Sequence, residues 1–480
     1  MMSMTRRKLL GYLGIGSAGI ALAACQPKVV EKIVKETVVV EKEVEKEVEK
    51  IVKETVVVEK EVAAAAGEVV EIRCTHSWPA ELWPRQEQFD DTFNEEHPNI
   101  KVIGENVVWG DYVPKLTAAA AAGAMPDLMY CQYAWAQKFI VNRAVISLQP
   151  YLNNDPEFWG EDDFNPESLK TYRFKGDLYF VPYDEGPTNM IYYNIRLFDE
   201  VGYPYPNSDK DWTYEDLLMA AKELTSGEGT SKVWGWNGIP SMGGDLNMDF
   251  LATWGARFWV DPCETKSEIN SKEAVECLTW WAAFRLEHKV SPTPAEAGTI
   301  PGNPFSYGRV AMMKGASWDN RWIHSNLKDP YDIAHTYIGP NGKRSSSSMG
   351  SGYGITKDTP HREQCWEYLR NYLSTEGQIF VWAAPGVGSP TRWSAYPAYF
   401  DSPLAPKSAK VFMEALQDYA KHEILDSPNG YEITQTANPI WDKALLGESS
   451  VQEALDEIQE AVKPVMAKNV QWCEDAGLIE

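Results

Sequence analysis

Nineteen tryptophans and 23 tyrosines are the residues of this 480-residue chain best suited to holding a ligand. An indole or phenol face packs against the C–H face of a sugar ring while polar neighbours reach the hydroxyls. Carboxylates and amides fill that second role because they accept and donate in fixed directions. Two indoles directly follow short apolar runs, in Thr75-His76-Ser77-Trp78 and Gln132-Tyr133-Ala134-Trp135. A third, Trp318, stands between Gly315-Ala316-Ser317 and Asp319-Asn320-Arg321, and Arg392 follows the turn-rich stretch Gly386 to Pro390. Most of the other aromatics are expected in the core. Signatures of covalent chemistry are missing. None of the 7 His lies in an HExxH, no Gly-x-Ser-x-Gly elbow or Gly-rich phosphate loop occurs, and no motif singles out a pair among the 69 acids. The scattered cysteines form no CxxC, so neither a metal nor another cofactor is expected.

The elements that must position these residues alternate. Val69 to Cys74 reads as a strand, Leu82 to Glu96 as a helix with Phe89 and Phe93 four apart, and Ile100 to Val108 as a second strand. Tyr112 to Ala122 is an Ala-rich helix closed by Gly123, and Asp127 to Cys131 is a third strand. This β-α-β-α-β order predicts a parallel sheet with helices on its faces, and ligands of such sheets sit beyond the carboxyl ends of the strands. Further on, Thr213 with Asp216 and Ser450 with Glu453 read as capping boxes, and Ser271 as another helix start. Val451, Leu455, Ile458 and Val462 form one apolar stripe. The run Arg344-Ser345-Ser346-Ser347-Ser348-Met349-Gly350-Ser351-Gly352 reads as a flexible connection.

With 45 basic against 69 acidic residues the net charge is −24, which argues against nucleic acid and favours a neutral or cationic ligand over a phosphorylated one. Beyond the first 25 residues no apolar run reaches the ~18 residues of a membrane span. Those first residues read as an address. Arg6-Arg7-Lys8 precede a short Gly-diluted apolar stretch, in the manner of a twin-arginine signal, and Leu22-Ala23-Ala24-Cys25 resembles a bacterial lipobox that would lipidate Cys25. Lys32 to Val44 then recurs unchanged as Lys50 to Val62, a charged stalk without chemistry that is able to self-associate. Among the other cysteines, Cys263 and Cys277 bracket a short loop and form the favoured pair. Cys74 and Cys131 would pair only on neighbouring strands; Cys365 and Cys473 are expected as buried thiols.

In order along the chain, several segments resemble the extracellular sugar-type solute-binding proteins of bacterial ABC importers, the broad group that includes maltose-binding protein. They are Met125-Pro126-Asp127-Leu128; Gly176-Asp177-Leu178-Tyr179-Phe180-Val181-Pro182-Tyr183-Asp184 with Met190-Ile191-Tyr192-Tyr193-Asn194; Leu197-Phe198-Asp199-Glu200-Val201-Gly202 with Asp211-Trp212-Thr213; Gly308-Arg309-Val310-Ala311-Met312-Met313 leading to Trp318; and Ala454-Leu455. The resemblance covers roughly residues 67–467.

It implies an α/β, two-lobed periplasmic-binding-protein-like fold, each lobe a mainly parallel sheet with flanking helices, closing about a hinge. The expected organisation is a signal peptide over 1–24, a lipidated N-terminus and stalk over 25–66, lobe one over 67–183 plus 352–388, lobe two over 184–351 plus 389–467, and a tail over 468–480. The ligand-binding residues it implies are Trp78, Glu81, Gln132, Trp135, Tyr183, Asp184, Trp254, Trp318, Asn320, Tyr353 and Arg392. The implied activity is capture of a carbohydrate, most simply an oligosaccharide, and its delivery to the transmembrane subunits of an ABC permease. The body would be monomeric and held to the outer face of the membrane through lipid on Cys25, with ATP hydrolysed by a separate subunit. Other readings remain: the same fold taking a peptide, polyamine or other organic cation, a secreted glycoside-active enzyme, a structural or adhesive surface protein carried by the stalk, and a sensor partner in place of an importer.

Overall fold

The computed structural model describes residues 69–478 except 81, 208–209 and 424–425. The leader, Cys25 and the repeat stalk lie outside the described residues, as does Glu81. The strands in chain order are β1 (Val70–His76), β2 (Ile100–Asn106), β3 (Leu128–Gln132), β4 (Arg173–Phe174), β5 (Asp177–Leu178), β6 (Val181–Pro187), β7 (Met190–Asn194), β8 (Trp234–Asn237), β9 (Val310–Gly315), β10 (Tyr331–Ala334), β11 (Ser346–Ile355) and β12 (Ala420–Lys421).

The expected β-α-β-α-β unit forms as read. Strand β1 lies between β2 and β3, parallel to both, with helices Trp83–Glu96 and Trp109–Ala122 as the crossovers. Gly123 ends the second helix at φ 64°, a left-handed conformation that glycine adopts without steric cost. Strand β11 extends this sheet antiparallel to β3 and β6, and β12 joins its start. A second sheet runs β10-β7-β9-β8. Its directions differ from the mainly parallel expectation: β7 is antiparallel to both neighbours, and only β8 and β9 run parallel. Strand β7 enters this sheet straight from β6 of the first, with Thr188 and Asn189 between them, so it has no crossover helix before it.

Period-two burial distributes β7 between two layers. Ile191 and Tyr193 pack with helices Tyr214–Leu224, Lys272–Leu286, Gly430–Leu445 and Val451–Met466, whereas Met190 and Tyr192 pack with Phe305, Tyr396, Tyr399 and Phe412. The first sheet has its own core, in which Tyr353 and Tyr183 meet Tyr372 of helix Arg362–Tyr372, itself stacked on Tyr368. Both predicted capping boxes are present, and the stripe Leu455, Ile458, Val462 is buried.

The Ser/Gly run around residue 346 is a strand and no flexible connection. All ten residues of β11 are buried. Small polar side chains are needed there because neighbours lie close: a Cβ at Gly350 would collide with the Asp184 carbonyl oxygen. The hydroxyls find partners: Ser346 Oγ accepts from the amides of Thr188 and Asn189, and Ser348 Oγ donates to Glu185.

The disulfide also differs from expectation. Cys263 bonds Cys473, 210 residues away, and Cys277 is a buried free thiol like Cys74, Cys131 and Cys365. The terminal helix Asn469–Ala476 returns to the 263–265 loop, where Asn469 donates to the Glu264 carbonyl at 3.2 Å and to Ser427 Oγ at 2.9 Å. Cys277 instead points inward, toward the Phe250 carbonyl. Cys74 and Cys131 do lie on neighbouring strands, but the register sets Cys74 against Leu128.

Candidate functional site

The carboxyl ends of β1 and β3, the middle of β6 and β11, and the segment Ser317–Asn326 bring polar and aromatic groups together. Alternation along β6 sends successive acids to opposite faces. Asp184 lies beside Tyr130 and Ser351, whose hydroxyls are 2.5 Å apart. Glu185 instead takes the Ser348 hydroxyl, and Ser348 also receives Asn165 Nδ2 at 3.2 Å.

Burial decides the protonation of both acids. It pushes Asp184 up to about 6, against hydrogen bonding from Ser351 and the nearby Arg321 charge. It pushes Glu185 up to about 8, reinforced by Asp184 and Glu167 and opposed by the Ser348 hydrogen bond. The Arg321 guanidinium is drawn downward by burial and faces Tyr130, Asp184 and Asp319. Arg321 takes part in no ion pair among the described residues; its Nε, the Asp184 Oδ1 and the Tyr183 hydroxyl are buried without a protein partner. Leaving such groups unmade costs about 1–3 kcal/mol each, so three at one junction point to a partner supplied from outside.

The aromatic walls are close by. Trp78 meets Tyr183 at 6.0 Å and Trp382 at 5.5 Å, both edge-on. Tyr183 stacks on Tyr372 at 5.6 Å, which leaves little of its ring free. Trp318 is half-buried against the first sheet's core and borders Gly186 of β6, and three positions on comes Arg321, on the same side of the helical turn. Trp135 is buried and stacks on Tyr112. At the end of β3, Gln132 caps helix Tyr133–Val141 by accepting from the Ala134 amide, and Tyr133 lies near Asp245 and Lys314. Lys314 is fixed between Asp245 and Asp249, at 2.5 and 2.7 Å.

Four expected contacts are otherwise engaged. Asn320 is fully buried; its amide donates to the Gly386 and Leu404 carbonyls, and its oxygen accepts from Tyr331. Arg392 pairs with Asp163 at 3.1 Å, donates to Phe158 and Leu373 carbonyls, and lies between the Phe158 and Phe164 rings. Tyr353 is buried, its hydroxyl 2.7 Å from His76 Nδ1, and burial drives that imidazole down to about 3. Trp254 packs on Tyr214 and Trp280 in the helical layer of the second sheet.

Sequence reasoning missed Arg321, Tyr130, Ser351 and Trp382. It singled out Asn320, one residue from Arg321. Neighbouring helical positions diverge by about 100°, so only the packed position of helix Asn320–Asn326 selects between them.

Residues 80–379 match the protein family described as bacterial extracellular solute-binding protein. A putative binding protein of Brucella abortus is 25% identical over 314 residues, 64% of this chain and 72% of the relative. Two solved structures share the fold. An ABC substrate-binding protein of Listeria monocytogenes in complex with cycloalternan superposes with a TM-score of 0.73 at 22% identity, over 83% of this chain and 99% of its own. Maltose-bound MalE3 of T. maritima gives 0.68 at 20% identity, over 83% of this chain and its full length.

Proposed function

The chain belongs to the bacterial extracellular solute-binding protein family, and on that premise we propose that it captures a carbohydrate, an oligosaccharide, between its two sheets and delivers it to a membrane ABC permease. The observation that carries this reading is the meeting of three unpartnered buried polar atoms, on Tyr183, Asp184 and Arg321, with the indoles of Trp78, Trp318 and Trp382. Adjacent hydroxyls on a sugar ring both donate and accept, so one ring satisfies a carboxylate and a guanidinium together. The apolar face of the same ring packs on indole. The solved relatives bound to cycloalternan and to maltose support this ligand class.

In this reading Trp78, Trp318, Asp184 and Arg321 touch the ligand, Gln132 and Trp135 line the approach, and Asn320, Tyr353 and Arg392 hold the walls. Lobe one comprises 67–183 plus 352–388 and lobe two 184–351 plus 389–467. Their hinge would lie within β6, between Tyr183 and Asp184, and within β11, between Ser351 and Gly352, where the register of this strand pair shifts. Binding and closure are the whole activity, with no covalent step. The lipobox sequence supports anchoring through Cys25 on the outer face of the membrane.

Calorimetry against a carbohydrate library, followed by product analysis, tests the proposal. A saturable complex with an oligosaccharide that is recovered intact is expected. Binding confined to polyamines or peptides, or turnover of the sugar, would refute it.

A further inference from the structure

Trp109 stands beside this site and opens the helix Trp109–Ala122, three residues past the end of β2. Its relative exposure is 51%. A single exposed indole is ordinary; what holds this one is less so. Its ring lies 4.8 Å from that of buried Trp135, which stacks at 5.4 Å and 14° on Tyr112. The Tyr112 hydroxyl donates to the Tyr130 carbonyl at 2.7 Å, and the Tyr130 ring is 6.4 Å from both indoles. Three buried rings thus fix the exposed one, and a platform already immobilised loses little entropy when a ligand packs on it. The flank is open, since a Cβ at Gly110 would meet no atom within 4 Å.

Tyr130 also links this platform to the polar group. Its hydroxyl is 2.5 Å from Ser351 Oγ, and the Asp184 charge acts on it directly. One tyrosine therefore separates Trp109 from Asp184. A ring held at Asp184 and Arg321 would have Tyr130 between it and the indole, and a further ring linked to it would reach past Tyr130 to the exposed face. We propose that Trp109 is the outer stacking platform of the site and makes it selective for oligosaccharides over monosaccharides. This inference rests on the carbohydrate reading above.

The test is calorimetry on the full chain, on Trp109→Ala and on Trp109→Phe. The probes are monomer-to-trimer series of α-glucan (glucose, maltose, maltotriose), β-glucan, xylan and mannan. For the series that binds, wild-type affinity should rise from monomer to trimer. Trp109→Ala should weaken the trimer at least tenfold and the monomer less than twofold, and Trp109→Phe should recover most of the loss. An equal loss along the series, no loss for any trimer, or a wild-type preference for the monomer overturns the platform while leaving the carbohydrate reading intact. Failure of the wild type to bind any member of the panel overturns both.

Discussion

With Asp184 touching the ligand as proposed, affinity should depend on pH in a direction opposite to stability. Its carboxyl titrates near 6 in the free protein because burial outweighs the Ser351 hydrogen bonding and the Arg321 charge. A sugar hydroxyl donating to its unpartnered oxygen favours the ionised form. One pH unit below that midpoint only about a tenth of the molecules carry the charge, so affinity should fall about tenfold between pH 8 and pH 5, or about 1.4 kcal/mol. Folding behaves in reverse. A carboxyl whose folded value is raised binds its proton more tightly when folded, so its penalty is present above about 6 and is relieved as pH falls from there toward the ordinary aspartate value of 3.8. Burial also raises Asp90 to about 6 and Glu264 to about 8, so they add to the same trend. Calorimetry across pH 5–8 should give a binding midpoint near 6, while the melting temperature of the free protein rises on acidification within that range. Asp184→Asn should bind weakly with no pH dependence in this window. Glu185→Gln, which removes the neighbouring group near 8, should keep the midpoint near 6. Equal wild-type affinity at pH 5 and pH 8, or an unaltered pH profile in Asp184→Asn, would refute the reasoning.

Trp318→Ala should weaken sugar binding at least tenfold while the far-ultraviolet circular dichroism stays that of the wild type, because the indole is only half-buried. Cys473→Ser should lower unfolding free energy by about 2–5 kcal/mol in denaturant titrations, since it frees a 210-residue closure, while Cys277→Ser should leave the disulfide intact on thiol titration. Arg392→Ala should cost about 3 kcal/mol of stability by removing the charge partner of Asp163, which keeps its Ser394 hydrogen bonds, and by leaving two carbonyls unpaired, with any loss of affinity following the loss of fold.

Local sequence determined a good deal here. Alternation and capping located the first three strands, their two crossover helices and the boxes at Thr213 and Ser450, because each follows from contacts within one turn or one strand. The motifs from Met125 to Trp318 carry the family's pattern within short stretches of chain. Tertiary packing decided the remainder. A Ser/Gly run has the composition of a linker, yet it forms β11 because strands on both sides satisfy its backbone and require small side chains. Cys263 found Cys473 over the nearer Cys277 because the last helix folds back across 210 residues, a distance that no local pattern encodes. Arg392 and Asn320 carry the right chemistry for a ligand but are used by the protein itself, and Arg321, adjacent in sequence to Asn320, keeps its Nε without a hydrogen-bond partner among the described residues. Residue type states which bonds a side chain is able to make; only the fold determines which of them are already made.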